Sequence, residues 1–537
     1  MTGTVLENLS GRKLAVLVSF FLICQIVCFL IGGIIAPKPS ITDSVLATKC
    51  IDTSNHSEEW FYSRGPKPCR GIDLGNFMYE EQAFANQIVF VFQIPSPREK
   101  VLLDYSRWQQ NLVGILHLDV LYHSQNEMAP RTVLTIDAKL GYQDKHDPPA
   151  KWTYYASSVE RRNLDCTMEQ KKELYPYSCS IIPLFELGSL HHDYYLLNIR
   201  LPVDKGRNAN LGHVGDMWLF AINQTGGFTK VWLSLKCVFF PSIVGILVWF
   251  LRRISGLQRK PQVLETMLII VALSLTLLNA PVELLTLFFD LPFMLLLTDI
   301  RQGIFYAALL SFWLVFSAEH LMVQEVQKKS LKDYWPYFSS VVVGCVSLFV
   351  FELCERGIQL KNPFYSIWVT DAGTKLAMAL LVIGGLCGIG YLILLCYLIW
   401  KVFCNIGTKR ASLPAMSQAR KLHYSGIIYR FNFLMIATVV CAALTMVTFC
   451  LGQVSEGQFK WEDHDGLEYT SAFFTGVYGM WNIYIFSLLV LYAPSHKHWP
   501  SQADLSIPTN EIEFSCLEPE PSEISSLTTF TKKTALD

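Results

Sequence analysis

The sequence predicts an α+β membrane protein: eight transmembrane helices, with a β-sandwich inserted between the first and the second. Three observations predict it. Eight apolar runs are separated by polar loops, and each is near the roughly 20 residues that a helix needs to cross a bilayer while satisfying its own backbone. One long gap, 37–230, carries short alternating strand patterns instead. Lys and Arg crowd into every second gap. The composition agrees: 51% of residues are hydrophobic and 17% charged, too little charge for the surface of a soluble enzyme of this size. The net charge of −1 gives nucleic acid no electrostatic footprint, so the expected surroundings are membrane lipid.

The helical runs fall at roughly 14–36, 232–251, 263–289, 300–323, 339–355, 375–403, 430–452 and 471–493. Arg12 and Lys13 precede the first; Arg252, Arg253, Arg259 and Lys260 follow the second. Lys328, Lys329 and Lys332 follow the fourth, and a basic stretch from Lys401 to Arg430 follows the sixth. The opposite gaps hold Asp290 and Asp299, then Glu456, Glu462, Asp463, Asp465 and Glu468. This bias puts both termini in the cytosol and the large domain in the lumen or outside the cell. The expected division is therefore a cytosolic N-terminus at 1–13, an anchor at 14–36, a lumenal sandwich at 37–230, a seven-helix bundle at 231–493 and a disordered cytosolic tail at 494–537. The first run is too long for a signal-peptide core and leads into Pro37, so it reads as an uncleaved anchor.

Within 37–230, Leu134, Ile136, Ala138, Leu140 and Tyr142 alternate with Thr135, Asp137, Lys139 and Gly141, as in a half-buried strand. Similar runs occur at 88–94, 113–122, 152–159, 180–185, 194–203 and 217–222, with a helical candidate at 80–86. The absence of long amphipathic helices between the strands disfavours parallel βαβ units and favours two packed sheets. Of the fifteen cysteines, this segment holds only Cys50, Cys69, Cys166 and Cys179. Four cysteines in an oxidising compartment allow three pairings, and proximity in sequence favours Cys50–Cys69 and Cys166–Cys179. Asn55-His56-Ser57 is a glycosylation sequon on the lumenal side, whereas Asn8 faces the cytosol and should stay bare.

No catalytic constellation emerges. No Gly-x-Ser-x-Gly, His-Glu-x-x-His or phosphate-cradling glycine loop occurs, so no enzyme activity and no cofactor are expected. The consecutive run His191-His192-Asp193 reads as a turn or surface segment, because neighbours on a strand point to opposite faces; no metal site is expected. Among ionisable residues within the spans, Glu283 stands out: it follows Asn279 and Pro281, so a kinked helix carries an acid near its lumenal end. The aromatic turn Asn362–Trp368 supplies Phe364, Tyr365 and Trp368, either as interfacial anchors or as an apolar rim that guides an acyl chain into the bundle. Together with Glu283 these are the candidates for admitting a lipid. In the last basic loop, Tyr424-Ser425-Gly426-Ile427 fits a Tyr-x-x-apolar sorting signal, with Tyr424 and Ile427 as the residues an adaptor would read.

Several long stretches carry a resemblance: Tyr195–Pro202, Gly226–Trp232, Asp299–Ala307, Cys354–Trp368, Ser471–Phe486 and Leu491–Lys497 resemble the Wntless family, also called Evenness interrupted or Sprinter. The likeness runs from the anchor to the last helix, and the opening Leu6–Lys13 and the tail resemble the insect form. It implies a GOLD-like lumenal sandwich on a receptor-like seven-helix bundle. It also implies a cargo receptor for palmitoleoylated Wnt proteins, which carries them from the endoplasmic reticulum through the Golgi to the cell surface. Return by a clathrin adaptor and retromer would follow, with Tyr424–Ile427 in the position of the family's endocytic signal. Two other classes use similar bundles. A G-protein-coupled receptor would carry Asp/Glu-Arg-Tyr at a cytosolic helix end, where this chain has Ala318-Glu319-His320. A lipid transporter would show internal repeats and deep paired charges, and neither is visible in the sequence.

Overall fold

A computed structural model describes residues 2–52, 59–63, 69, 85–96, 103–124, 127–129, 132–149, 151–168, 171–208, 211–257, 259–321, 334–412, 425–426, 428–429, 431–444, 447 and 469–498. Two antiparallel sheets make the domain that follows the first long helix. One has four strands in the order β10 (Ile182–Leu187), β5 (Gln110–Leu121), β12 (His213–Gln224), β2 (Ser40–Leu46). The other has five, in the order β3 (Thr48–Ile51), β4 (Ile88–Ile94), β11 (Tyr194–Arg200), β6 (Thr132–Gln143), β7 (Thr153–Leu164). Alternation explains the packing. Leu112, Leu116, Leu118 and Val120 of β5 face Leu134, Ile136, Ala138 and Leu140 of β6 across one apolar core. The register places Leu197 of β11 between Phe92 and Leu140, so every inward position meets another inward position. A short ribbon, β8 (Cys166–Thr167) with β9 (Ser178–Cys179), and the two disulfides Cys50–Cys69 and Cys166–Cys179 staple its edges.

The helices follow the apolar runs, with shifted ends. Helix α2 (Gly11–Leu30) starts on the Ser10 cap, whose hydroxyl accepts from the Lys13 amide, and continues as a π-turn through Ile31–Ile35. Next come α3 (Gly226–Ser255), α4 (Val263–Asn279), α5 (Met294–Leu321), α6 (Trp335–Gln359), α7 (Asp371–Ser412), α8 (Phe431–Leu444) and α9 (Tyr469–Leu491). Seven are long and apolar enough to cross a membrane, and α8 is a shorter apolar helix. The expected kink in the third run is a full break. Helix α4 ends at Asn279, Pro281 caps a separate 3-10 turn, Val282–Leu287, and Glu283 sits on that turn.

Neighbouring helices pack in the order α2, α9, α3, α4, α5, α6, α7. The α2–α9 seam is close because it is lined with small residues. Gly476 lies under the Phe29 ring, Gly32 against Thr475, and Thr475 donates to the Cys28 carbonyl at 2.9 Å. At the end away from the sandwich, strand β1 (Thr2–Thr4) pairs with β13 (Pro494–His498), and Leu6 of the four-residue helix α1 (Val5–Asn8) is buried in the bundle core. Both ends of the described chain therefore meet at one end of the bundle, as an even number of crossings requires.

Candidate functional site

Sandwich and bundle meet along a junction whose two sides are built differently. On one side the loop between α6 and α7 docks into the sandwich. Phe364 is fully buried there, its ring edge-on to Phe185 at 6.0 Å. Phe185 in turn lies over Gly114, where any Cβ would collide with the ring. The loop backbone is held as well. Arg162 of β7 donates to the Phe364 carbonyl at 2.6 Å and the Glu186 amide of β10 donates to the Pro363 carbonyl at 3.0 Å, while the Asn362 side-chain amide donates to the Ser158 hydroxyl at 3.3 Å. Burial pushes the Arg162 guanidinium below its ordinary pKa, and Glu160, paired at 3.0 Å, partly restores it. Arg356 at the end of α6 pairs with Glu186 at 2.5 Å, and Asp299 and Glu352 face the same guanidinium at 3.5 and 3.6 Å.

This geometry corrects one expectation. Phe364 is not at an open rim; it plugs the sandwich core, because the loop turns up into the sheets and not across the bundle mouth. Tyr365 is half-buried beside it. Trp368 is 45% exposed on the 3-10 turn Ile367–Val369, with its ring facing Phe351 of α6.

The opposite side of the junction is hollow. A cavity of about 500 Å³ lies between the lower ends of β2, β5 and β12 and the helices α3, α5 and α9. Phe228, Trp232, Leu233, Met294, Leu295 and Phe474 make its apolar wall; Gln110, Asn223, Thr298 and Glu283 supply polar groups. Above it, the outer face of the four-stranded sheet continues the apolar surface. With Met217, Leu219 and Ala221 turned to the core, Trp218, Phe220 and Ile222 face outward, next to Val113 and Ile115 of β5. Val113 and Ile222 belong to both this face and the cavity wall.

Beside the cavity lies a buried ionic triad. Glu283 is 4% exposed, and its Oε1 accepts from Lys236 of α3 at 2.5 Å and from Arg301 of α5. Arg301 also donates to the Ala280 carbonyl at 2.8 Å, which satisfies the helix end left open by the break at Pro281. Below it, Tyr478 donates to Asn279, and Asn279 to Asn482 at 2.5 Å. Lys236 escaped the sequence reading; a lone lysine inside an apolar run is itself the signal that finds it. Arg301, near the start of α5, is 2% exposed.

The remaining expected residues are elsewhere. His192 stacks on Tyr142 at 3.6 Å and meets Asp144 at 3.0 Å, at the sandwich surface. Asn55, Tyr424 and Ile427 lie outside the described residues.

A β-sandwich set on a bundle of apolar, membrane-length helices makes this one of the multi-span membrane proteins that carry a β-sandwich domain. Sequence profiles narrow the class: residues 48–224 match "Wntless, GOLD domain" and residues 225–496 match "Wntless-like, transmembrane domain". Over the whole chain it is 53% identical to Protein wntless of Drosophila mojavensis and 52% identical to that of Drosophila grimshawi, with 100% of both chains covered in each case. Protein wntless of Drosophila sechellia is 53% identical over the same full extent. The chain belongs to the Wntless family.

Proposed function

We propose that this protein is a cargo receptor for lipid-modified Wnt proteins, carrying them from the endoplasmic reticulum and Golgi to the cell surface. The observation that supports the reading best is the hollow side of the junction, an apolar-walled cavity at the foot of an apolar sheet face. Burying a C16 acyl chain in such walls contributes about 0.8 kcal/mol per methylene, on the order of 10 kcal/mol before losses. The sheet face above the cavity offers outward aromatic side chains to the cargo's protein surface. No catalytic residue is needed for this task. The test is capture of wild-type Wnt and of a Wnt that cannot be acylated by the full-length receptor. Acyl-dependent capture is expected; equal capture of both forms sinks the reading.

In this reading both termini are cytosolic, the sandwich is lumenal, and Asn55 carries glycan while Asn8 does not. Sugar on Asn8 in glycan-shift mapping reverses the orientation. Endocytosis by a clathrin adaptor, ahead of retromer-dependent retrieval, then rests on Tyr424 and Ile427, which fill separate adaptor pockets as an extended peptide. Tyr424→Ala is expected to raise surface receptor and slow its uptake with Wnt capture unchanged. Unaltered antibody uptake would remove this signal from the account.

A further inference from the structure

We propose that sandwich and bundle together bind a zwitterionic phospholipid of the adjacent bilayer leaflet, its phosphate between Arg107 and Lys230 and its chains against Phe288 and Phe289. The site lies outside the junction cavity and needs no cargo. The 104–109 loop that leads into β5 touches the helical part where α3 begins its membrane-length run. Trp108 packs on Gly226 in the first turn of α3, so closely that a Cβ there would stand 3.1 Å from the Trp108 Cβ. Arg107 donates to the Leu287 carbonyl at 3.2 Å. Just past Leu287, Phe288 is 70% and Phe289 60% exposed, and Leu285 and Phe293 are exposed beside them. Large apolar side chains gathered in one open segment mark a contact surface, and between the ends of membrane-length helices the hydrocarbon edge of the bilayer is what covers it.

The charges decide the head group. Arg107 and Lys230 are both exposed, and Lys230 Nζ stands 5.4 Å from the centre of the Trp108 ring. Among the described residues neither cation makes a salt bridge, and the Leu287 carbonyl takes one N–H of the guanidinium and leaves the others for a phosphate. Carboxylates lie close by. Arg107, Trp108 and Leu287 line an open cleft of about 410 Å³ together with Asp104 and Asp193. Asp104 pairs with Lys145 at 3.0 Å, Asp193 accepts from the Lys145 amide at 2.8 Å, and Asp290, farther along the Leu287 segment, accepts from Ser189 at 3.2 Å. A head with net negative charge would be opposed by these acids, and a head without phosphate would leave Arg107 and Lys230 unanswered. A phosphate joined to an ammonium group answers both signs, with the ammonium toward Asp104 and Asp193.

The test uses the full-length, cargo-free receptor in detergent with a limiting amount of photoreactive phosphatidylcholine that carries a diazirine in one chain. Adducts are mapped by mass spectrometry. Labelling of 285–293 and 106–110 is expected. Unlabelled phosphatidylcholine and phosphatidylethanolamine should compete alike, and phosphatidylglycerol about threefold or more worse. Diacylglycerol, which lacks the phosphate, and glycerophosphocholine, which lacks the chains, should compete about tenfold or more worse. Arg107→Gln with Lys230→Gln should lower labelling of these two segments about fivefold or more, with adducts on the lipid-facing surface of α6 and α7 unchanged as the internal control. Because the competition is read on the unaltered protein, a misfolded variant cannot decide the matter. Equal competition by diacylglycerol or by phosphatidylglycerol overturns the proposal, as does segment labelling that the double substitution leaves intact. Absence of adducts on both segments overturns it too and assigns the aromatic patch to a protein partner.

Discussion

The two sides of the sandwich–bundle junction solve the same problem in opposite ways. The α6–α7 side is sealed by a buried aromatic ring, backbone hydrogen bonds and an arginine shared among carboxylates. The α3–α9 side is spanned by a few polar contacts, Gln110 to Thr286 at 3.3 Å and Thr225 to the Lys38 carbonyl at 2.5 Å, around a void. Close packing supplies most of the stability at a protein contact, and a void supplies none to its lining. The sandwich is therefore anchored at one corner and free to be filled at the other. The ionic triad lies at the border, fastening α3 and α5 to the broken end of α4 just beneath the void.

The comparison breaks most visibly at the triad. Glu283→Ala leaves Lys236 and Arg301 buried without their counter-ion, and the expected loss is about 3–5 kcal/mol in denaturant or thermal unfolding of the detergent-solubilised protein. Lys236→Met should cost far less, about 1 kcal/mol, because Glu283 keeps Arg301 and a methionine fills the same space. Equal losses in the two variants would mean that Arg301 does not hold the carboxylate alone.

Next in size is the anchored corner. Phe364→Ala removes a fully buried ring, at an expected cost of about 3–4 kcal/mol. The loss should appear as faster hydrogen exchange in β7, β10 and the α6–α7 loop. Leu295→Ala, in the wall of the void, should cost about 1–2 kcal/mol, since its side chain is only half-buried. A Leu295 variant as damaging as the Phe364 variant would show that the open side bears the load.

Much of the architecture was legible in the sequence because it rests on local periodicity. The strand at 88–94 and the alternation from Leu134 to Tyr142 appear as written, and the helices follow the apolar runs. Strand β2 was missed because it lies at a sheet edge: Ile41 and Leu46 are exposed, and no alternation marks it. Helix ends moved because α5 and α7 extend past the apolar core into polar sequence. The site was harder for a physical reason. Glu283 could be singled out as an acid in an apolar run, but its partners lie 47 and 18 residues away, on different helices. Phe364 and Trp368 look alike in an aromatic turn, yet one faces the sheets and the other faces out. Nothing local tells them apart.

A smaller effect is expected from Arg356→Ala. Its guanidinium is partly exposed, so the loss of Glu186 should cost about 1–2 kcal/mol, reduced by solvent screening. Glu186→Gln, which keeps a hydrogen bond and removes a carboxylate from a site with three of them, should cost less still. If the charge-removing variant were the more damaging, the ion pair and not the packed loop would be holding the corner.

Trp368→Ala should do least. The side chain leaves nearly half its surface exposed and its ring lies tilted against Phe351 at 6.2 Å, so truncation removes an outer aromatic contact, worth about 1 kcal/mol or less. Its neighbour four residues earlier carries a ring of similar chemistry and an expected cost several times larger, which makes the pair a direct test of what the turn is for. If the turn shaped the path of an acyl chain, the exposed Trp368 would be the residue that cargo feels, and its loss would lower Wnt capture while leaving unfolding unchanged. If the turn is an anchor, capture by Trp368→Ala stays within about twofold of the parent, less than 0.5 kcal/mol. Under that outcome Phe364→Ala lowers capture only as far as it loosens the sandwich. The buried position of Phe364 favours the second outcome, and capture measured beside hydrogen exchange in the same two variants decides it.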